Sequence, residues 1–401
     1  MESYVIDWIS MIVRWIHVIT GIAWIGASFY FIWLDNSLEN PPQWKVDKGI
    51  KGDLWAVHGG GIYEVAKYHG APEKMPETLH WFKWEAYSTW LSGMLLLGVI
   101  YYLGADAYLI DPRVAKLEPG VAVGAGLAII FGSWFAYSLL CISPLAKNGW
   151  LLTGLLLLLG GALAYLLTSL FSGRGAYIHF GAVIGTIMVG NVFRVIMPGQ
   201  RKLVAALETG SAVNPEWGAA AKLRSTHNTY LTLPLIFIMI SNHYPMTYGH
   251  ALNWAVLLAI VVITGLSRQY FVLRHQSVNR PVILWGSAIA ALLLAVMLAP
   301  KQSFAPAVEA QNLTSAQVFE AQAIILRRCA SCHAEETTDP DFAVAPGGVM
   351  LHTPELMVQW AQRIKARSVD SHDMPFLNRT GMTDDERELV GRWVIAGAPL
   401  K

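Results

Sequence analysis

The chain has 401 residues, of which 54% are hydrophobic and only 14% carry a charge. This balance excludes an ordinary soluble globular domain and predicts a polytopic protein of the lipid bilayer. The formal net charge of +1 gives no reason to expect a nucleic-acid partner. Charged residues are concentrated in a few loops and in the C-terminal tail, which leaves long apolar runs between them.

The apolar runs predict eight transmembrane helices. The first is read as an uncleaved span, because the N-terminus carries Glu2 and Asp7 and no basic residue before Arg14, unlike a signal peptide. The sixth is the weakest, since it is short and contains Pro234. The predicted spans are 7–34, 81–103, 121–142, 150–171, 176–197, 229–243, 252–270 and 282–299.

Loop charges predict the orientation of these spans. The odd-numbered loops (35–80, 143–149, 198–228 and 271–281) carry twelve basic residues, whereas the N-terminus and the even loops carry only Arg113, Lys116 and Arg174 beyond the spans. Basic residues accumulate in cytoplasmic loops. The odd loops are therefore predicted to be cytoplasmic and both termini to lie outside, in the periplasm.

The C-terminal tail contains one Cys-x-x-Cys-His motif, formed by Cys329, Cys332 and His333. Two thiols at this spacing can bind one haem covalently, and the adjacent imidazole then ligates the iron. The alternatives are half of a zinc site, completed by His352 and His372, or a redox dithiol. Haem attachment by such a motif takes place outside the cytoplasm, which agrees with the orientation given by the loop charges.

Met374, followed by Pro375, is the predicted second iron ligand, with His372 as its rival and Met350 and Met382 as weaker candidates. Thr314-x-x-Gln317 and Thr383-x-x-Glu386 predict two capped helices, one running into the haem motif and the other ending near 396. The prediction is an all-α chain: a membrane domain over 1–299, a linker over 300–311, and a class I mono-haem cytochrome c domain over 312–401. Trp393 is expected to pack where the two helices cross.

Ionisable and amide groups within spans are costly and mark functional sites. His17 and His179, near the outer ends of spans one and five, are candidate ligands for a non-covalent haem b. A second group lies near the cytoplasmic face and could bind a planar, anionic heterocycle. Both uses can hold at once. The second group is His80, Glu85, Asn191, Arg194, His227, Asn228 and Tyr230.

The first loop contains three consecutive glycines after His58 and predicts a tight turn between two extended segments. It lacks the Gly-Lys-Ser/Thr ending of a phosphate loop. Two interpretations stay open: a flap over the cytoplasmic site, or a packed hairpin.

Several stretches resemble the bacterial membrane-bound, cytochrome c-linked urate oxidases (urate hydroxylases), and the resemblance extends over the whole chain. The first span also resembles, more weakly, haem-binding protoporphyrinogen oxidases with an Arg-x-x-His first helix, which favours His17 as a haem b ligand. The stretches similar to the urate oxidases are 14–29, His58-Gly59-Gly60-Gly61, Gly190-Asn191-Val192-Phe193-Arg194 and 227–234.

The resemblance implies that urate is oxidised and hydrated to 5-hydroxyisourate, with two electrons passing through haem c to a cytochrome c or a terminal oxidase. It also implies a place in the bacterial inner membrane. We expect urate to bind the cytoplasmic group, where His80, His227 or Glu85 accepts its proton and Asn191 and Arg194 contact it. The alternative is an electron-transfer subunit that oxidises quinol or a partner dehydrogenase.

Overall fold

The structure is a computed structural model that describes residues 2–299 and 313–400 apart from 341, 343, 371 and 373. It is mostly helical, with 70% helix and 5% strand. The predicted linker, 300–311, lies outside the described residues, so the boundary between the two predicted domains stays a prediction.

Eleven α-helices, one β-hairpin and a few short π- and 3₁₀-helical segments make up the part of the chain described before residue 300. The helices are α1 (Glu2–Ser37), α2 (Gln43–Val46), α3 (Trp84–Leu97), α4 (Pro119–Ile142), α5 (Gly149–Leu170), α6 (Gly173–Asn191), α7 (Met197–Glu208), α8 (Pro215–Ser241), α9 (Pro245–Tyr248), α10 (Asn253–His275) and α11 (Pro281–Met297). Short π-helical segments, Gly98–Tyr102 and Val192–Ile196, extend α3 and join α6 to α7.

Among the described residues, five helices are long and apolar enough to cross a membrane: Trp8–Ser37, Pro119–Ile142, Gly149–Leu170, Gly173–Glu208 and Asn253–His275. Helices also occupy the other three predicted spans, but α3 and α11 are shorter than this class and α8 is more polar. The total of eight spans therefore stays a prediction. The sixth segment differs most from expectation, because α8 begins at Pro215, fourteen residues before the predicted start at 229.

Helix α6 is central to this part of the chain and contacts α3, α4, α5 and α8. Thirteen of its nineteen residues are buried, which is why its sequence shows no polar stripe. By contrast, α1 leaves large apolar side chains such as Trp15 and Ile22 exposed. Such a surface is stable only against lipid or another apolar partner. Farther along, α8 packs on α10, and α10 packs on α11.

The first loop forms the predicted hairpin, with β1 (Ile50–His58) antiparallel to β2 (Gly61–Tyr68). The two turn residues, Gly59 and Gly60, have positive φ angles, which glycine adopts at no steric cost. Lys45 lies buried at the base of the hairpin and donates hydrogen bonds to Asp53 and Glu64. These two bonds raise the pKa of Lys45, so its positive charge is retained inside the loop.

The described C-terminal part contains α12 (Ser315–Cys329), α13 (Pro354–Gln359), α14 (Ala361–Ile364) and α15 (Asp384–Ile395). Both predicted capping boxes are confirmed, with Thr314 and Thr383 at the N-caps of α12 and α15. Trp393 is fully buried in one apolar cluster with Ala321 and Ile325 of α12, so its predicted place between the two helices is also confirmed.

Glu386 ties α15 to α12 through hydrogen bonds of 3.0–3.2 Å from Arg328 and 3.1 Å from Arg327. Burial raises the pKa of Glu386, but the hydrogen bonds from Arg328, from the Thr383 backbone and from Arg327 lower it and prevail. A carboxyl whose pKa is depressed on folding stabilises the fold above its unfolded pKa of about 4.3, and this stabilisation disappears as the pH falls through the folded pKa.

We therefore expect Glu386→Gln to destabilise α15 at neutral pH by about 1–2 kcal/mol. Hydrogen exchange of the α15 amides in the detergent-purified chain measures this difference. Glu388→Gln, on the exposed side of the same helix, is the matched control. The difference between wild type and Glu386→Gln should shrink at acid pH, and a difference independent of pH would contradict the role assigned to the carboxylate.

Candidate functional site

A cavity of about 930 Å³ runs between α1, α3, α6 and α8. On α3 and its extension, its lining residues run from Thr89 to Tyr101, and on α8 they run from Ser225 to Ile240. At 1.5 Å per helical residue, these stretches span about 18 Å and about 22 Å. The cavity therefore extends along most of the length of the helices, with His80 at one end and Arg174 at the other.

The His80 end of the cavity combines aromatic walls with a few polar side chains. The His80 ring meets Phe82 edge to face with centroids 4.5 Å apart, and Phe82 meets Phe31 in the same way at 4.8 Å. Trp90 donates a hydrogen bond of 3.0 Å to Thr186 behind the wall. The polar groups that line this end include His80, Gln200, Ser225 and Asn228.

Asn228 is held by a buried polar cluster on α4, α6 and α8. Its Nδ2 donates to the Met188 carbonyl oxygen at 3.0 Å, and its Oδ1 accepts from Asn191 Nδ2 at 2.9 Å. Asn191 Nδ2 also donates to Tyr137 Oη at 3.0 Å, and Tyr137 Oη lies 2.7 Å from His227 Nδ1. This network fixes the orientation of Asn228 at the cavity wall.

The structure brings some of the predicted catalytic residues together and separates others. His80 lines the cavity itself, whereas Asn191 and His227 lie behind Asn228 in the polar cluster. Glu85 does not line the cavity, and its Oε2 is buried without a hydrogen-bond partner among the described residues. Arg194 is exposed on the π-helical segment after α6 and belongs to neither group.

The guanidinium in the polar cluster is Arg224, which the sequence assigned to a cytoplasmic loop. It is only 3% exposed, lies 4.9 Å from the ring centroid of Tyr137, and contacts Asn191 Oδ1 at 3.5 Å and the Ser138 carbonyl oxygen at 3.3 Å. Arg224 lies three residues, or about one helical turn, before His227. This spacing would have placed Arg224 near His227 if the helix had been predicted to start at Pro215. Tyr230, predicted with this group, instead bonds Gln269 on α10 and does not line the cavity.

The two histidines predicted to share a haem b do not face each other across one cavity. His17 lines the large cavity beside Gly93. His179 is fully buried on another side of α6, where Nδ1 donates to the Gly175 carbonyl oxygen at 2.8 Å and Nε2 lies 3.3 Å from Tyr102 Oη. A Cβ on Gly126 would lie 2.6 Å from that Nε2, so the ring is packed against α4 and has no room for a flat ligand.

A second cavity, of about 380 Å³, lies in the C-terminal part and is lined by Cys329, Cys332, His333 and Met374. His333 Nδ1 donates to the Val349 carbonyl oxygen at 2.8 Å, which leaves Nε2 as the lone-pair nitrogen. Besides Arg174, four arginines of the C-terminal part line the wall and could neutralise acidic groups of a ligand: Arg328, Arg363, Arg367 and Arg379. These residues have the chemistry that a covalently attached haem requires.

The Met374 backbone is anchored by Arg387, which is only 4% exposed. Its Nη1 donates to the Met374 carbonyl oxygen at 2.7 Å and to the Ser368 carbonyl oxygen, and its Nη2 donates to Asn378 Oδ1 at 3.2 Å. The rival ligands are placed elsewhere, because His372 is exposed and neither Met350 nor Met382 is among the residues that line the cavity.

The two alternatives for the cysteine motif receive no support. No group of three or more potential metal ligands of the His, Cys, Asp and Glu types occurs within the described ranges. A reactive dithiol needs a lowered thiol pKa. Burial instead raises the pKa of Cys329 to about 12 and also raises that of Cys332.

Arg174 lines both cavities. Its Nε donates to Tyr101 Oη at 3.0 Å, and its guanidinium lies 5.1 Å from the ring centroid of Tyr108. Tyr108 in turn packs against Phe376 of the C-terminal part, with centroids 5.6 Å apart. A short chain of aromatic and guanidinium groups therefore separates the two cavities. The hairpin is not part of this arrangement, since none of its described residues lines either cavity.

The comparisons with known proteins bear on the first of these two parts. The family model described as urate oxidase N-terminal matches residues 3–299, a region that contains the whole of the large cavity and the polar cluster. No curated protein and no solved structure matches the chain. Because the family model covers well over half of the 401 residues, the chain belongs to the urate oxidase N-terminal family.

Proposed function

We propose that this oxidoreductase is a membrane-bound urate oxidase that delivers electrons to its own haem c. Urate and one water give 5-hydroxyisourate, two protons and two electrons, so oxygen comes from water and no dioxygen is consumed. The electrons leave one at a time through haem c to a soluble cytochrome c or a terminal oxidase. Family membership supports urate as the substrate, and the cysteine motif supports the acceptor.

We assign the urate site to the His80 end of the large cavity. Urate is a flat anion with several amide-like edges, so it needs aromatic faces and hydrogen-bonding groups at their rim. Phe31, Phe82 and Trp90 supply faces, and Gln200 and Asn228 supply amides. No aspartate or glutamate is among the described residues that line this cavity, so no carboxylate repels the anion.

His80 is assigned the role of general base. Hydration of the oxidised ring requires a proton to leave the attacking water, and imidazole is the side chain best suited to accept it near neutral pH. Of the three bases considered from the sequence, only His80 lines the cavity. His227 and Asn191 act as positioning residues, because they reach the cavity only through Tyr137 and Asn228.

The C-terminal cavity is assigned to haem c, with thioether bonds to Cys329 and Cys332 and iron ligation by His333 and Met374. When bound, the haem supplies a one-electron acceptor, and methionine ligation favours its reduced state. The hydrogen bond from His333 to Val349 holds the imidazole, and Arg387 holds the Met374 loop. The observation that carries the proposal is that Arg174 lines this cavity and the substrate cavity together.

The remaining spans and the orientation follow from the same proposal. With α3, α8 and α11 added to the five membrane-length helices, eight spans put both termini and the C-terminal part on the periplasmic side of the inner membrane. Arg224 now counts within the bundle, so twelve loop charges become eleven against three, and the positive-inside bias persists. The His80 end then opens toward the cytoplasm.

Urate should reduce the haem of the purified chain directly. Adding urate anaerobically to the oxidised, detergent-solubilised protein should produce the ferrous haem c spectrum, approaching two electrons delivered per urate when cytochrome c is present in excess. Visible spectroscopy measures the reduction, and chromatography measures the 5-hydroxyisourate formed.

Allantoin, which is already past this oxidation step, is the matched control and should leave the haem oxidised. Reduction by a quinol but not by urate would overturn the proposal and assign the chain to electron transfer from quinol or from a partner dehydrogenase. Water labelled with ¹⁸O should place the label in the product, and label arriving from dioxygen would contradict the stoichiometry.

A further inference from the structure

His17 is oriented as a metal-ligating histidine in the large cavity. Its Nδ1 lies 3.0 Å from the Thr89 carbonyl oxygen and 3.2 Å from Ser92 Oγ. Because a carbonyl oxygen only accepts, Nδ1 carries the proton and Nε2 keeps its lone pair. A backbone carbonyl bound to Nδ1 is the usual support behind a ligating imidazole. His17 also lines the cavity, so this nitrogen has space in front of it.

Glycines on three helices leave room for a planar ligand in front of the imidazole. A Cβ on Gly93 would lie 2.9 Å from His17 Cε1, so only glycine lets the imidazole lie against α3. Gly21 of α1 and Gly181 and Gly185 of α6 line the same cavity. The cavity measures about 930 Å³ against about 380 Å³ for the haem c cavity, which leaves room for a second macrocycle beside a substrate.

The Arg174 end of this cavity is positively charged. Arg14 lies one helical turn before His17 and lines the cavity, as does Arg174. Arg174 donates a hydrogen bond to the Tyr101 hydroxyl, and that hydroxyl donates to Asn242 Oδ1 at 3.0 Å. Two guanidinium groups without a lining carboxylate suit a ligand with two acidic groups. Urate, with one negative charge, would leave one of them unmatched.

We propose that this half of the cavity binds a non-covalent haem b, with His17 Nε2 as an iron ligand and Arg14 and Arg174 as partners of the two propionates. This half of the cavity lies between the urate site and the haem c cavity, because Arg174 also lines the latter. When bound, such a haem would supply a one-electron carrier between the substrate and haem c. That role rests on the proposed function, whereas the binding site does not.

Haem analysis of the purified full chain tests the site. The pyridine haemochrome spectrum should show b-type and c-type haem in equal amounts, and acidified acetone should extract only the b-type. His17→Gly should lose the b-type signal and keep covalent haem c, and added imidazole should restore the b-type signal. His250→Ala, in the loop before α10, is the matched control and should keep both haems.

Wild-type protein with c-type haem alone would overturn the inference, as would a b-type signal unchanged in His17→Gly. The two proposals fail separately. Haem c reduced by urate in a chain without haem b would leave the proposed function standing. A chain with both haems, neither of them reduced by urate, would leave the haem b site standing and reject urate as the donor.

Discussion

Replacing His80 with alanine should lower kcat/KM for urate by about 10²- to 10⁴-fold, the range expected when a general base is removed. The expectation follows from position, since His80 is the one candidate base that lines the cavity while His227 and Glu85 do not. Covalent haem c should be retained, because His80 lies far along the bundle from Arg174. Steady-state reduction of cytochrome c by urate measures the loss.

Two histidine variants act as controls for this assignment. His58→Ala, at the tip of the hairpin, should keep wild-type turnover, because no described hairpin residue lines either cavity. A marked loss of turnover in His58→Ala would support the interpretation of the hairpin as a flap over the cytoplasmic site. His227→Ala should reduce turnover less than His80→Ala, since it acts through Tyr137 on Asn228. The reverse order of effects would move the base into the polar cluster.

Sequence patterns that involve only a few neighbouring residues predicted the local structure correctly. The two capping boxes need only a threonine and a glutamine or glutamate three residues later, and both formed as predicted. The hairpin turn needs positive φ angles, and two glycines provide them. The cysteine motif places three side chains on one short segment, so their arrival at one cavity wall follows from the local backbone alone.

The sequence did not predict which side chains face the cavity, because this depends on the rotation of each helix about its axis. His17 and His179 occupy similar places in their spans, yet one lines the large cavity and the other packs against Gly126 and Tyr102. Neighbouring helices decide which face is buried, and α6 is buried nearly all round, so its sequence gives no directional signal.

The predicted roles of Arg194 and Arg224 are exchanged in the structure for a related reason. Arg194 was grouped with Asn191 because the two are close along the chain. Arg194 lies three residues farther on, in the π-helical segment, and is exposed at the surface. Arg224 was counted as a loop charge, because apolar runs define the ends of spans and a buried arginine interrupts such a run. Its cost of burial is offset by Tyr137, Asn191 and the Ser138 carbonyl, partners that only the folded bundle brings together.

Replacing Arg174 with glutamine should slow the reduction of haem c by urate about tenfold or more, as expected when a charged hydrogen bond of about 1.5–3 kcal/mol is lost. Arg174 is placed between the two cavities and holds Tyr101 and Tyr108 in position. Loss of its charge should also lower the potential of haem c, because a nearby cation stabilises the reduced state. Stopped-flow reduction and a redox titration measure these two effects independently.

Arg113→Gln is the matched control for this prediction. Arg113 lies at the same face of the molecule and pairs with Asp111 at 2.7 Å, but it is not among the residues that line either cavity. Its loss should leave urate-driven reduction unchanged. Dithionite should reduce haem c completely in both wild type and Arg174→Gln, because this reduction does not need electrons from the membrane cavity. Equal rates with urate in those two proteins would mean that electrons leave the substrate cavity by a path that avoids Arg174, and the contact between Tyr108 and Phe376 would then be structural only.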